Sequence, residues 1–570
     1  ERIATIDKGE VELFVKYFFG MVTAVDGDLS MEYSIDRKNW QTPGLWWVNR
    51  NGQKAYYRCG QKEHDLFLRF RGKGTVRFLL WRSVDPISLE FDSESFLIPG
   101  ANEPVKTVTV KLEPDVALAF NGKSEFEPRK WLRVYNMPDS IGNGDYRKAT
   151  EYFVPLGFAG ARDAGFQFTK SPEKDSVPDV ALRKMLRGFY PDPLLSVACF
   201  DAFPEGVQCT DKTLSNAHNC PAPEKFREAA ELIARTLGQR EQSLGEYAGF
   251  YCEVKNESDI GTNWAYFNNT AKYDPWKLLA DYHNTVADVV HEKAPRWKVG
   301  GPSSCRPILD NGGATMLTFL DRTRDRLDFY SWHFYENSTF RLKPETSFLF
   351  GRLDASIDLY RNYLRNHGGE KPLLITEYGG SATGSDDISV CIQLRSASAL
   401  LDQMLAYPDL IQVAVPFVVP VSWWSKSGRP ARNCYQLFNY NFQTKEMELT
   451  PVAGFLKLWR NLDGTRIPAD SDCPEVRTAA LRNRNHIFLV VSNLSGRRLR
   501  VKLDLGSDVP VRSVTQRRLY LERAKIISRT DLDVAPDAIP AAFDETTILD
   551  IELDTRSEEH TSELQSRSDL

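Results

Sequence analysis

Between about residues 125 and 465, short apolar segments alternate with longer amphipathic ones. The short segments have the length of strands, and their apolar residues are largely consecutive instead of alternating with polar ones. Apolar strands that alternate with amphipathic helices are typical of a parallel sheet covered by helices. About 340 residues with this pattern predict an α/β fold, a (β/α)8 TIM barrel with loop insertions. The glycine-rich turn of a Rossmann fold is absent from the sequence.

Seven strands of this barrel can be assigned directly, and the second strand in chain order is predicted within 152–168. The seven are Trp131–Val134, Leu194–Phe200, Phe250–Val254, Trp297–Val299, Leu327–Ser331, Leu373–Thr376 and Ile411–Phe417. Helices are predicted over 222–237 with Gly238 as C-cap, from N-cap Asp274 and Pro275 to just before Pro295, over 352–366, and over Phe455–Leu462. His283 and His291 are interpreted as surface residues of the second of these helices.

The alternation typical of half-buried strands occurs on both sides of the barrel. An N-terminal β-rich, sandwich-like module is predicted over 1–121, the catalytic barrel over 122–465, and a C-terminal β-sandwich over 466–555. The N-terminal strands are expected at Val11–Val15, Leu66–Phe70, Val76–Leu80 and Val108–Leu112, with a hairpin turn at Arg71–Gly74. The C-terminal strands are expected at Ile487–Val491, Val501–Leu505 and Leu549–Leu553, with a turn at Ser495-Gly496.

Composition excludes several classes of partner. The net charge is −5 and basic residues are scattered along the chain, so we expect no nucleic-acid partner. The longest apolar runs are far shorter than the ~18 residues of a membrane span, and we expect no membrane insertion. Among the nine cysteines, Cys209 and Cys220 could close a surface loop, whereas Cys199 and Cys252 lie in apolar runs and are expected to be buried.

Both ends of the sequence carry information about processing. Because the chain begins at Glu1 instead of Met, we expect that a signal peptide or an earlier domain preceded it. A secreted, periplasmic or cell-surface location is predicted. The C-terminal residues Arg556–Leu570 include RSEEHTSELQS, which resembles translated sequencing-adapter sequence and has no helical or strand periodicity. We therefore interpret 556–570 as a non-native tail.

Two glutamates follow predicted barrel strands at the point where each strand ends. Glu257 closes the segment Tyr251-Cys-Glu-Val-Lys-Asn-Glu257, and Glu377 closes Lys371-Pro-Leu-Leu-Ile-Thr-Glu377. Barrel enzymes carry their chemistry at the carboxyl ends of the strands, and two facing carboxylates are what glycoside cleavage requires. Glu253, four residues before Glu257, is expected to be a structural residue paired inside the barrel. The eight histidines contain no H-E-x-x-H motif, and neither a G-x-S-x-G elbow nor a phosphate loop is present.

Around these glutamates the chain resembles clan A glycoside hydrolases, and more specifically glycoside hydrolase family 86, the β-agarases and β-porphyranases. The matching stretches keep their order and spacing over about 122–500. They are Gly122-Lys-Ser-Glu-Phe-Glu, Glu253-Val-Lys-Asn-Glu257, Val299-Gly-Gly-Pro-Ser303, Asp328-Phe-Tyr-Ser-Trp-His-Phe-Tyr335, Leu374-Ile-Thr-Glu-Tyr-Gly-Gly380, Tyr407-Pro-Asp, Val415-Pro-Phe417 and Leu458-Trp-Arg-Asn-Leu-Asp-Gly-Thr-Arg466. Ser258 is a departure, because many clan A enzymes have proline after Asn-Glu.

This resemblance implies roles for individual residues. Glu257 would be the catalytic acid/base and Glu377 the nucleophile, Asn256 would bind the sugar 2-hydroxyl, and His333 and Tyr335 match the clan's His-x-Tyr, with Tyr335 orienting the nucleophile. Further candidates for sugar contact are residues in the loops that follow the strands. They are Trp423, Trp424 and Trp264, which could stack on sugar rings, and Arg162 and Asp201, which could bind hydroxyl or sulfate groups.

The function implied is an endo-acting, retaining hydrolase of β-1,4 linkages in red-algal galactans, either agarose or porphyran. No cofactor and no metal are required. Two alternatives remain open at this point. The chain could be another clan A β-glycanase, such as a mannanase, cellulase or xylosidase, or a non-catalytic polysaccharide-binding barrel.

Overall fold

The structure is a computed structural model. It describes residues 2–6, 10–18, 21–34, 36–42, 45–48, 54–58, 64–80, 105–135, 143–166, 180–193, 195–201, 203–204, 206–305, 307, 314–336, 352–380, 387–421, 434–441, 443–444, 446–494, 498–506, 509–522, 525–541 and 545–554. The predicted turn at Ser495-Gly496 and the predicted tail 556–570 therefore lie outside the described residues.

In the central part of the chain, the described residues form a parallel sheet of seven strands whose order in space follows their order in sequence. The strands are Arg162–Phe166, Val197–Phe200, Tyr251–Glu253, Lys298–Ser304, Phe329–Glu336, Leu373–Gly380 and Ile411–Pro416. A short parallel pair, Arg133–Val134 with Ala159–Gly160, precedes them. The predicted parallel α/β sheet is confirmed, and its closure into a barrel stays a prediction.

Amphipathic helices connect these strands and bury their apolar faces against the sheet. Among the described residues, the helices are Pro128–Trp131 and Asn143–Phe153 before the seven strands, Val180–Phe189, Phe226–Leu244, Pro275–Lys293, Ala314–Thr323, Arg352–Asn366 and Asp387–Met404 between them, and Ala453–Trp459 after them. A small antiparallel pair, Phe438–Asn441 with Glu446–Leu449, follows the last parallel strand.

The helix Pro275–Lys293 shows how local sequence determines an element. The Asp274 side chain accepts a hydrogen bond of 3.0 Å from the Lys277 backbone N–H, which satisfies one of the free donors of the first turn. Pro275 occupies the first turn, where no hydrogen bond from its nitrogen is needed. The helix ends before Pro295, so both predicted boundaries are confirmed.

Two predictions about helices are wrong. Gly238 does not end its helix, which continues to Leu244 and is closed by Gly245 with a positive φ of 61°. The apolar stripe extends as far as Leu244, and its burial outweighs the low helix propensity of one glycine. His283 is not a surface residue, because it is fully buried against the sheet. A β-carbon on Gly301 would lie 2.4 Å from His283 Nε2, so the glycine allows this close approach.

The described residues between 2 and 80 form an antiparallel sheet of six strands. They are Arg2–Ile6, Glu10–Phe18, Met21–Ser34, Leu45–Val48, Lys54–Arg58 and His64–Leu80. The hairpin predicted at Arg71–Gly74 is wrong, since His64–Leu80 is one continuous strand. A β-carbon on Gly72 would lie 2.0 Å from the Asp28 carbonyl oxygen, so this glycine permits a close approach of two backbones instead of a turn.

Two sheets form the C-terminal part and enclose their own apolar cluster, as expected for the predicted β-sandwich. One sheet has six strands in the spatial order Thr465–Ile467, Val476–Asn483, His486–Asn493, Thr546–Leu553, Val511–Glu522 and Lys525–Asp533. The other has the order Ala469–Ser471, Lys106–Leu112, Leu499–Asp504 and Ile539–Ala541. Lys106–Leu112 thus pairs with C-terminal strands, although the sequence analysis assigned it to the N-terminal module.

Helix Asp387–Met404 packs on the parallel sheet and also on the C-terminal six-stranded sheet. Asp402 lies at this contact, 4% exposed, and burial raises its pKa from 3.8 to about 6. Above about pH 6 the folded protein therefore holds a buried carboxylate, whereas below about pH 4 the group is neutral in both folded and unfolded states. Stability contributed by this residue is consequently lost as the pH rises from about 4 to 6.

We expect Asp402→Asn to stabilise the protein at pH 7.5 by roughly 1–3 kcal/mol and to leave its stability at pH 4 nearly unchanged. Urea unfolding at the two pH values measures this difference. Asp358→Asn, on a neighbouring helix and exposed, serves as the control and should change neither value. An equal effect of Asp402→Asn at both pH values would contradict the view that ionisation of the buried Asp402 carboxyl destabilises the protein.

Candidate active site

The register of the parallel strands brings distant residues together at the carboxyl edge of the sheet. Cys199 lies opposite Glu253 on the neighbouring strand, and His333 lies opposite Glu377. Asn256 and Glu257 follow the end of strand Tyr251–Glu253. The backbone of Glu257 has a φ of 40°, an uncommon value for a residue with a β-carbon that is often found at functional sites.

Glu257, His333 and Glu377 meet in space. His333 Nδ1 lies 3.1 Å from Glu257 Oε1 and 3.4 Å from Glu377 Oε2. One carboxylate oxygen of each glutamate and this ring nitrogen all lie within 4.8 Å of one another. The side chain of Glu257 is 25% exposed and that of Glu377 only 7%, so Glu257 has the greater access to solvent.

The carboxylate of Glu377 is held by donors on both oxygens. Tyr135 donates to Oε1 at 3.0 Å, Arg162 donates to the same oxygen, and Tyr335 donates to Oε2. Burial, and after it the charge of Glu377, raises the pKa of both tyrosines well above the usual value, so their hydroxyls keep the protons that they donate. These contacts fix one orientation of Glu377.

Arg162 contacts the carboxylates of Glu253 and Glu377, and its side chain is completely buried. Its Nε donates to Glu253 Oε2 at 2.8 Å, and its NH2 group donates to Asn256 Oδ1 at 2.8 Å and to Ser303 Oγ at 3.0 Å. The expectation that Glu253 is a paired, buried residue is confirmed. Arg162 was predicted to bind hydroxyl or sulfate groups, but its observed contacts are to the protein, and its burial favours a role toward Glu377.

Electrostatics within this cluster follow from burial and from the fixed charges. Burial alone would raise the pKa of Glu253, but Arg162 and His333 outweigh it, and the pKa falls to about 2. Burial alone would lower the pKa of His333, whereas the Glu377 and Glu257 carboxylates outweigh it and raise the pKa. Glu253 is therefore ionised at neutral pH.

The remaining predicted residues lie in different surroundings. Asn256 joins the cluster through Arg162. Asp201 accepts a hydrogen bond of 2.9 Å from the buried Lys255, with its own side chain 43% exposed. Trp264 is completely buried and stacks on Tyr282, so it belongs to the core. Trp423 and Trp424 lie outside the described residues.

Sequence reasoning missed three residues that the structure brings to this site. Tyr135 directly follows the first short strand and reaches Glu377 from 242 positions away in sequence. Ser303 contacts both Arg162 and His333 Nε2, the latter at 2.9 Å. Cys199 lies 3.2 Å from the Arg162 guanidinium. Tyr135 and Ser303 follow or end apolar strands, which is the signal that identified Glu257 and Glu377.

Within the described part of the chain, one group of side chains has the spacing of metal ligands, namely Glu257, His333 and Glu377. His333 Nδ1 lies within hydrogen-bonding distance of Glu257, so the three groups already contact one another. The same arrangement provides what acid/base and nucleophilic chemistry needs, namely two carboxylates of different exposure and donors that orient one of them.

Comparison with known proteins adds family information. Residues 475–568 match the family described as "Porphyranase beta-sandwich domain 1". A funoran endo-β-hydrolase of Wenyingzhuangia aestuarii is 25% identical over 267 residues, which are 44% of this chain and 36% of that protein. The matches span less than half the length of the curated relatives.

Two solved structures share the fold. A β-porphyranase of glycoside hydrolase family 86 from Bacteroides plebeius has a TM-score of 0.60 and 19% identity over 78% of each chain. A second structure, in complex with neoagarooctaose, has a TM-score of 0.66 and 19% identity over 78% of this chain and 79% of that one. The resemblance to glycoside hydrolase family 86 is confirmed. In the sequence it rested on the stretches that contain Glu257, His333 and Glu377.

The family match to 568 overlaps the tail that sequence analysis predicts to be non-native. Because Arg556–Leu570 has no apolar periodicity with which to pack, we expect its removal to leave the melting temperature and the activity unchanged. A longer truncation, which also removes strand Thr546–Leu553 from the centre of its sheet, should destabilise the protein and serves as the control. A lower melting temperature after the short truncation would show that the tail is structural.

No helix among the described residues is both long and apolar enough to span a membrane.

Proposed function

We propose that the chain is an endo-acting, retaining glycoside hydrolase of agar-type galactans, with Glu257 as acid/base and Glu377 as nucleophile. One observation carries the proposal, namely the approach of the two carboxylates to within 4.8 Å. Retaining enzymes have carboxyl groups about 5–5.5 Å apart, whereas inverting enzymes need about 6.5–9.5 Å to admit a water molecule. The observed separation favours retention.

The environment of each carboxylate supports its assigned step. Glu377, held by Tyr135, Arg162 and Tyr335, is oriented to attack the anomeric carbon. Glu257 is more exposed, so it can donate a proton to the leaving oxygen and later take one from water. Asn256, whose carbonyl oxygen is bound by Arg162, is proposed to donate its amide N–H to the sugar 2-hydroxyl.

The parallel sheet is proposed to close as a (β/α)8 barrel. Support comes from Tyr135, whose backbone N–H donates to the Val418 carbonyl at 2.9 Å and so joins the first short strand to the segment after the last. One apolar cluster also contains residues from both of these segments and from the strands between them. Its members are Tyr135, Ala161, Val197, Tyr251, Phe329, Leu374, Val413, Val415 and Val419.

The unit boundaries at 121, 465 and 555 and the secreted, periplasmic or cell-surface location are likewise proposals. Two structural facts bear on the boundaries. Strand Lys106–Leu112 pairs with Leu499–Asp504, which draws part of 1–121 into the C-terminal sandwich. The Arg466 guanidinium donates to the Leu405 carbonyl at 3.0 Å, which ties the start of the sandwich to the catalytic part.

The proposed substrate class rests on the comparisons. The relatives and solved structures are described as acting on or holding funoran, porphyran and agarose-type chains, all galactans. The test described next also distinguishes this proposal from the alternatives, which are mannanase, cellulase or xylosidase activity and a non-catalytic barrel.

The test is hydrolysis of agarose, porphyran, funoran, mannan, cellulose and xylan by the full chain, with NMR detection of the first anomer released. We expect oligosaccharides from a galactan, with the β-anomer formed first. A mannan, cellulose or xylan product would favour another clan A activity, and an initial α-anomer would contradict retention. No product from any polymer, despite binding, would favour the non-catalytic barrel.

A further inference from the structure

Arg162 is shared by two carboxylates that differ in their fate during the proposed reaction. Its guanidinium contacts Glu253 through Nε and NH2, and it contacts Glu377 through NH1. Glu253 and Arg162 are completely buried, and Glu253 accepts a further hydrogen bond of 2.7 Å from the Thr376 hydroxyl. Other titratable groups that face the cluster are Tyr135, Cys199, Glu257 and His333.

The first proposed step removes the charge of Glu377. An oxygen of its carboxylate forms a bond to the anomeric carbon, the bond from that carbon to the leaving oxygen breaks, and Glu257 transfers its proton to that oxygen. In the resulting glycosyl-enzyme, residue 377 is a neutral ester. Arg162 then retains its charge, without access to solvent and without a charged partner at residue 377.

A buried guanidinium with no counter-ion is strongly destabilising, because the protein interior solvates charge poorly. We propose that Glu253 is the permanent counter-ion of Arg162, which keeps the guanidinium paired while Glu377 is esterified. Glu253 is thus a positioning residue that acts through Arg162. In the free enzyme Arg162 pairs with both Glu253 and Glu377. Its positive charge therefore orients Glu377 but is shared with Glu253.

This inference rests on the proposed function, but its first test needs no turnover. Glu377→Gln makes residue 377 neutral, as the ester does. Glu253→Gln removes the other partner of Arg162. Each single variant leaves Arg162 one carboxylate, whereas the double variant leaves none. We expect the unfolding equilibrium constant of the double variant to rise by roughly tenfold or more beyond the product of the two single effects.

Urea unfolding of the full chain at pH 7 measures this coupling. The matched control is a second pair, in which Glu253→Gln is combined with Glu257→Gln. Glu257 hydrogen-bonds to His333 instead of Arg162, so this pair leaves Arg162 one carboxylate. The control pair should be close to additive. Additive effects in the test pair would overturn the proposal. The proposal is supported if the test pair does not fold although both single variants and the control pair fold. If the control pair also fails to fold, the proposal is overturned.

A kinetic test separates this role from a purely structural one. In the Glu257→Ala background, an activated aryl glycoside should accumulate as glycosyl-enzyme, detectable as added mass on the intact protein. Adding Glu253→Gln should reduce the trapped fraction by roughly tenfold, because the intermediate then contains an unpaired Arg162. Adding Glu253→Asp, which keeps the charge, should restore most of it. Glu370→Gln, at a carboxylate that pairs with Arg361 instead of Arg162, should keep the trapped fraction.

An equal trapped fraction with and without Glu253→Gln would overturn the proposal. If Glu257→Ala forms no glycosyl-enzyme with any glycoside although the unfolding effects are coupled, then the proposed function fails while Glu253 keeps its role as counter-ion. The two failures are therefore distinguishable.

Discussion

Glu377→Ala is expected to reduce the hydrolysis of galactan by roughly 10⁴-fold or more while leaving polysaccharide binding largely intact. The reason is that the nucleophile acts on the transition state, whereas binding of a polymer depends on contacts with many of its sugar units. Release of reducing ends measures turnover, and affinity electrophoresis in a gel that contains the polysaccharide measures binding.

Glu370→Ala is the matched control. Glu370 precedes the same strand by three residues, at the opposite edge of the sheet, where it pairs with Arg361 at 2.9 Å. Its loss should leave turnover close to that of the wild type. Near wild-type turnover of Glu377→Ala would show that the chemistry takes place elsewhere.

Much of this site could be predicted because strand ends in a parallel sheet converge. The sequence locates Glu257 and Glu377 where apolar runs stop, and parallel pairing of the strands from Tyr251–Glu253 to Leu373–Gly380 then places both residues at one edge of the sheet. The role of Glu253 as a buried, paired residue followed from its position inside the strand. The positions of the strand ends do not reveal which hydrogen-bond donor contacts which oxygen of Glu377.

Tyr135 illustrates this limit. In sequence it is one aromatic residue after a short apolar run, and nothing local links it to Glu377. Its backbone is held by a hydrogen bond to Val418, far along the chain. Arg162 was likewise predicted as a charged loop residue, but it opens strand Arg162–Phe166 and is buried by contacts with residues from several other strands and their ends.

The errors in the fold share a physical cause. Gly72 and Gly238 were interpreted as punctuation because glycine commonly occurs at turns and helix ends. At Gly72 the absent side chain allows two backbones to approach, and at Gly238 the apolar stripe continues on both sides. The packing of a whole strand or helix thus outweighs the preference of one glycine for turns and helix ends. This packing depends on tertiary structure, so the local sequence does not reveal it.

The second prediction with a large effect concerns Glu257, whose two tasks can be separated by the leaving group. Hydrolysis of a galactan needs a proton on the departing sugar oxygen, so Glu257→Ala should reduce it by roughly 10²–10⁴-fold. An activated aryl leaving group departs without a proton. Provided that the site accepts such a glycoside, the first step should be largely preserved, and the glycosyl-enzyme should accumulate because no base activates water.

Azide should then rescue turnover of the aryl glycoside by Glu257→Ala. A small anion can enter the space left by the side chain and attack the glycosyl-enzyme without a general base. Attack opposite the Glu377 ester restores the original configuration, so the product should be a β-glycosyl azide, identified by NMR. Glu377→Ala is the contrasting control, since azide in place of the nucleophile would invert the configuration and yield an α-azide. An α-azide from Glu257→Ala, or no rescue although the aryl glycoside is turned over, would mean that Glu257 is not the acid/base, and the two roles would have to be reassigned.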